Sequence, residues 1–122
     1  MDSAIEGKEG NRMNLNDLRD TIYADAVAHG LWEDLDKRYP REDYETFGVD
    51  VDWFKRRSCA YLVRDEAFEL IGADSVEAYS EELADTIIMC MSAAGYLGID
   101  IDAAVKAKME INKGRPWKHG KE

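Results

Sequence analysis

Between Thr86 and Leu97 the chain reads TIIMCMSAAGYL, apolar on nearly every side of a helix. A helix of that kind must be covered all round, by its own chain or by another copy. Directly before it stands Asp85, a charge at the mouth of a segment that reads as buried. Such a carboxylate needs a partner, a proton or a cation.

The surrounding pattern predicts an all-α fold. Leu15, Leu18, Ile22 and Ala26 form a helical stripe. Asn14 or Asn16 suits its cap, and Gly30 its end. Residues 31–50 are charged, contain Pro40 and show no sustained period, which predicts a loop with a short helix. A second helix is expected over 51–71 with Asp50 or Asp52 near its cap, then a GADS turn. Asp74 followed by Glu77 makes a capping-box pattern for the third helix, which runs to about Leu97. The fourth runs from near Asp100 to about Lys113, before Gly114 and Pro116. No segment alternates with a period of two, and there is no internal repeat. The expectation is a four-helix-bundle-like protomer over 13–122 behind a disordered leader at 1–12. Three neighbours cover the third helix poorly, so the protomer should assemble into a dimer or tetramer.

A chain of 122 residues with 45% hydrophobic content can fill one core. It has no apolar run long enough to span a membrane. Its first residues, MDSAIEGKEGNR, lack the apolar stretch of a signal peptide, so a cytoplasmic home is expected. Cys59 and Cys90 fall in apolar helical pattern without a CxxC, and both are expected as buried free thiols. The net charge is −10, but residues 106–122 carry six Lys or Arg against two Glu, a local +4 on a body of −14. An acidic body argues against a nucleic-acid polymer as ligand. The basic tail either completes a site for a phosphorylated small molecule or is merely solvated.

Two carboxylate pairs stand out. Glu66 and Glu69 are three apart on the second helix, as are Glu82 and Asp85 on the third. That spacing puts each pair on one helix face. Cys59 and Leu62 precede the first pair, and Met89, Ser92 and Tyr96 follow the second, all at seam spacing. Folded as a hairpin about the GADS turn, Glu66 falls level with Asp85 and Glu69 with Glu82. Four like charges at one height repel, unless a divalent cation sits between them. All-oxygen donors favour Mg²⁺ or Mn²⁺ over zinc. A di-iron bundle would want Glu-x-x-His, and neither His29 nor His119 has that spacing. Two such pairs can also arise by chance on solvated helices.

The arrangement resembles the MazG-like, all-α nucleotide pyrophosphohydrolases. Their signature, E-E-x-x-E, a spacer, then E-x-x-D, reads here Asp65-Glu66-Ala67-Phe68-Glu69, 12 residues, then Glu82-Leu83-Ala84-Asp85, with Asp at the first position. Lys108, Asn112 and Arg115 match the family's K-x-x-x-N-x-x-R in its last helix, and AVAHGLWED resembles the opening helix of one branch. The resemblance implies Mg²⁺-dependent hydrolysis of a nucleoside triphosphate between the α and β phosphates by a helical dimer or tetramer. By motif match Glu66, Glu69, Glu82 and Asp85 are the metal ligands, Glu66 or Glu69 orients or deprotonates the water, and Asp65 supports them. Lys108, Asn112 and Arg115 would hold phosphate or sugar. Trp32 either stacks on the base or belongs to the core. The other readings are a non-catalytic helical oligomer that binds a nucleotide or a protein, and a structural protein with a solvated acidic cluster.

Overall fold

The computed structural model describes residues 14–115. The expected leader at 1–12 lies outside them, as do Trp117, Lys118, His119 and Lys121. The fold is all-α. Among the described residues there are six helices: α1 Leu15–Ala28, α2 Glu33–Arg38, α3 Arg41–Thr46, α4 Val51–Ile71, α5 Val76–Leu97 and α6 Ile101–Lys113. The stretch expected as a loop with one short helix holds two. Pro40 separates them: it fixes its own φ at −66° at the start of α3, and it keeps Tyr39 (φ −123°, ψ 70°) out of helical geometry. No single helix among the described residues is long and apolar enough to cross a membrane.

Each long helix begins on a side-chain oxygen that takes up amides left free by the first turn. Asn14 Oδ1 accepts from the Asn16 N–H at 2.8 Å, and Asp50 Oδ1 from Asp52 and Trp53 at 3.0 and 3.3 Å. Asp100 Oδ1 accepts from Ala103 at 3.0 Å. The cap of α5 is Ser75, whose Oγ accepts from the Ala78 N–H at 3.0 Å. This corrects the expected Asp74–Glu77 box. The extended residue is Ser75, so the third helical position falls on Ala78 and no reciprocal Glu is available. Gly98, at φ 70°, closes α5 in the left-handed region, and Ile99 donates back to Ala94 at 2.9 Å.

Helices α4 and α5 form an antiparallel hairpin. α1 packs along α5, α6 lies against α1, and α3 leans on α4. The core sits at the end of the hairpin away from the turn. There Trp32, Leu35, Cys59 and Ala93 are buried, with Tyr23, Leu62, Tyr96 and Leu97 packed around them. The Trp32 indole N–H donates to Ser92 Oγ at 2.9 Å. Trp32 is thus a core residue, the second of the two roles the sequence allowed it.

Burial along α5 is less complete than its composition implies. Met91 to Ala94 are buried, but Leu83, Ile87, Ile88 and Cys90 are exposed. Cys59 is buried as expected, and burial pushes its thiol up to about 11. Cys90 departs from expectation because it shares the outward face with Leu83 and Ile87, at helical spacing.

The joint between α1 and α6 is polar. Leu15 N–H donates to Asp102 Oδ1 at 2.9 Å, Asn16 Nδ2 to Asp100 Oδ1 at 2.9 Å, and Arg19 Nη1 to the Ile99 carbonyl at 2.6 Å.

Candidate metal centre

The hairpin sets its acidic residues between the core and the turn. Glu66 from α4, with Glu82 and Asp85 from α5, each offers an oxygen, and these three oxygens lie within 4.8 Å of one another. Glu66 and Glu82 are half-buried, and Asp85 is exposed. Asp85 is therefore not enclosed as the sequence implied, since burial of α5 begins only at Met91.

Glu69 stands outside this triad. It faces Glu82 across a concavity of about 440 Å³ beside the turn, walled by Phe68, Gly72 and Ala73. Partial desolvation raises the Glu82 carboxyl above its ordinary value, and the negative charges of Glu69, Asp85, Glu66 and Glu81 push it further. Among the described residues no Lys or Arg pairs with Glu66, Glu69, Glu82 or Asp85. Asp65 is turned to Arg64, at 3.0 Å. An all-oxygen donor set, two of its three carboxylates half-buried and none paired with a Lys or Arg among the described residues, fits a hard divalent ion.

The basic tail is not brought to the carboxylates within one chain. Lys108 and Arg115 are exposed and Asn112 is half-buried. Arg115 Nη1 reaches Asn112 Oδ1 at 3.5 Å. The chain bends by 116° between α5 and α6. The 13 residues of α6 span about 20 Å at 1.5 Å each, so the helix returns only about 9 Å along α5. Asp85 lies about 18 Å back from Leu97 on the same measure.

Two further concavities flank the hairpin. One, of about 600 Å³, opens at its far end, where Arg41, Lys55 and Arg56 are held by Asp52 at 2.6 Å, Asp36 at 3.2 Å and Asp50 at 3.9 Å. Its cations are already engaged, and Lys55 stands about 16 Å along α4 from Glu66. The other, of about 350 Å³, lies between α1 and α5, one turn from Asp85, and includes Asp25 in its lining. Sequence reasoning passed over Asp25, although its place three residues after Ile22 puts it beside the apolar stripe of α1.

A stretch of 53 residues, 43% of this chain, is 38% identical to a protein of Cyanophage S-2L named dATP/dGTP diphosphohydrolase. The matched stretch spans half the length of that relative. No family model and no solved structure matches the chain.

Proposed function

We propose that this chain is a metal-dependent nucleotide pyrophosphohydrolase of the MazG-like, all-α kind, built on one domain over 13–122. It hydrolyses a nucleoside triphosphate between the α and β phosphates to a nucleoside monophosphate and pyrophosphate. The observation that carries this reading is the convergence of Glu66, Glu82 and Asp85 from two helices, with no Lys or Arg paired to them among the described residues. The name of the phage relative supports it.

Glu66, Glu82 and Asp85, with Glu69 at the edge, would hold Mg²⁺ or Mn²⁺. When bound, the ion neutralises phosphate charge and acidifies an attacking water. Glu69, or Glu66 beside it, accepts the water's proton as its oxygen bonds to the α-phosphorus and the bond to the bridging oxygen breaks. Lys108 and Arg115 bind phosphate oxygens, Arg115 by two parallel N–H bonds, while Asn112 serves sugar or phosphate.

Because α6 stops short of the carboxylates in its own chain, these groups act from a second copy. The exposed residues Val76, Tyr79, Leu83, Ile87 and Cys90 recur on α5 at spacings of three, four, four and three, which places them on one face of the helix. A dimer or tetramer would cover it.

The test is pyrophosphate release from a panel of canonical and modified NTPs and dNTPs, with Mg²⁺ and with EDTA. Metal-dependent release is the expected result. A folded oligomer that binds Mg²⁺ yet releases nothing would turn the assignment to a nucleotide-binding or protein-binding role.

A further inference from the structure

The 350 Å³ concavity beside Asp85 is within the size range of small-ligand pockets, roughly 300–1,000 Å³. Its walls are apolar: Ile22, Ala26 and Leu31 on one side, Ile88 and Met89 on the other. Met89 follows Asp85 by one helical turn, about 6 Å of rise. A ligand anchored at the carboxylates by its charged end would therefore lay its apolar end here.

Thr21 and Asp25 supply the acceptors of this pocket. Thr21 Oγ1 spends its hydrogen on the Asp17 carbonyl at 3.1 Å, which leaves its lone pairs. Ser92, itself buried, accepts from the Trp32 indole and keeps its own hydroxyl hydrogen. Asp25 keeps most of its capacity. His29 Nδ1 is 2.8 Å from the Asp25 backbone carbonyl, and 3.6 Å from the Asp25 carboxylate. A carboxylate has about four lone-pair positions, so Asp25 can accept from two parallel N–H groups. An apolar slot edged by the Asp25 carboxylate and the Thr21 hydroxyl oxygen matches a flat base that presents N–H donors there. At that edge it opposes a base that carries only carbonyl oxygens.

We infer that this pocket receives the nucleobase of the substrate, and that Asp25 selects bases bearing an exocyclic amino group. The inference rests on the nucleotide reading above and adds a specificity residue to it.

Two substrate pairs, each differing by one amino group, test it: dGTP against dITP, and dATP against deoxynebularine triphosphate. The wild-type kcat/KM should favour the amino-bearing member of at least one pair by tenfold or more. In Asp25→Asn the ratio should fall toward one, mainly through KM. A ratio that survives Asp25→Asn in both pairs overturns the inference while leaving the hydrolase reading intact.

Calorimetric titration of dGMP and dIMP, and of dAMP and deoxynebularine monophosphate, separates the two failures, because it needs no turnover. Asp25-dependent preference for an amino-bearing monophosphate, in a chain that releases no pyrophosphate, would uphold the pocket and defeat the hydrolase. Monophosphate binding indifferent to Asp25 in both pairs defeats the pocket whatever the activity.

Discussion

The indole of Trp32 lies flat on the ring of Tyr96, with centroids 4.3 Å apart and planes 9° apart. This stack ties the segment before α2 to the end of α5, and the Trp32–Ser92 hydrogen bond fixes its orientation. Trp32 is only 3% exposed. Trp32→Ala should cost about 3–5 kcal/mol through lost burial and a cavity. Trp32→Phe retains an aromatic stack but withdraws the donor from Ser92, adding about 1–3 kcal/mol for the unsatisfied hydroxyl. Urea denaturation at fixed protein concentration checks both. A Phe variant as weak as the Ala variant would mean that the hydrogen bond, not the stack, dominates.

At Gly95 the backbone of α5 lies close against Tyr23 of α1. A methyl group there would fall 2.5 Å from Tyr23 Cβ and 2.7 Å from its Cγ. Gly95→Ala gains about 1 kcal/mol of helix propensity. Overpacking costs about 1–3 kcal/mol, or more. The nearest obstacle is Tyr23 Cβ, fixed to the α1 backbone, so α1 itself must shift and the cost wins. The variant should melt several degrees below wild type. An unchanged or higher melting temperature would show that α1 moves freely on α5.

Much of this could be read from the residues because local chemistry decides it. Asn14, Asp50, the end of α5 near Leu97 and the seam positions of α4 and α5 were legible, and with them the hairpin that brings Glu66 level with Asp85. What escaped depends on how elements meet. The exposure of Cys90 follows from which side of α5 lacks a neighbour. The separation of Lys108 and Arg115 from the carboxylates follows from a 116° bend that spacing does not encode. Ser75 displaced Asp74 as cap because a one-residue shift in helix start changes which amides are free. Asp25 became visible only once α1 lay against Ile88 and Met89.

The α1–α6 joint should weaken in acid. Asp102 is held below its ordinary carboxylate range by its bond to Lys106, then by the Leu15 N–H. Asp100 is lowered by Asn16, then by the Ala103 N–H. A carboxyl with a lowered folded pKa gives its full stabilisation above the unfolded value, about 3.9, and loses it as pH falls through the folded value. Asp102→Asn keeps an oxygen for Leu15 but loses the charge. It should melt below wild type by a constant gap between pH 7 and 5, and the gap should close below about pH 4. A gap that does not narrow as the pH falls below about 4 would assign the effect to packing.

Asp85→Asn should separate stability from activity. The raised Glu82 carboxyl is stabilising only in its protonated form, so at neutral pH the ionised cluster opposes folding. Removing one negative charge should leave the melting temperature in EDTA equal to or above that of wild type. The same change should remove the Mg²⁺-dependent rise in melting temperature and reduce pyrophosphate release to background. A variant that unfolds in EDTA would make Asp85 a structural residue and overturn the metal assignment.

The distance from α6 to the carboxylates makes a prediction about assembly. In one chain the end of α6 stops about 9 Å short of Asp85 in height alone, and on the proposed reading Arg115 serves a neighbouring copy. Arg115→Ala should raise KM for the triphosphate while leaving the Mg²⁺-dependent thermal shift in place, because the carboxylates are untouched. Asp85→Asn copies, in turn, retain Arg115. When the two variants are mixed and refolded together, a mixed oligomer can pair an intact carboxylate cluster with an intact Arg115. Pyrophosphate release should then exceed that of either variant alone, approaching one quarter of wild type for random dimers with one rebuilt site in half of them. Ile87→Glu, on the exposed face of α5, should reduce oligomer size by light scattering and abolish the recovery. If mixing restores nothing while the oligomer persists, Arg115 reaches its own carboxylates by a rearrangement of α6.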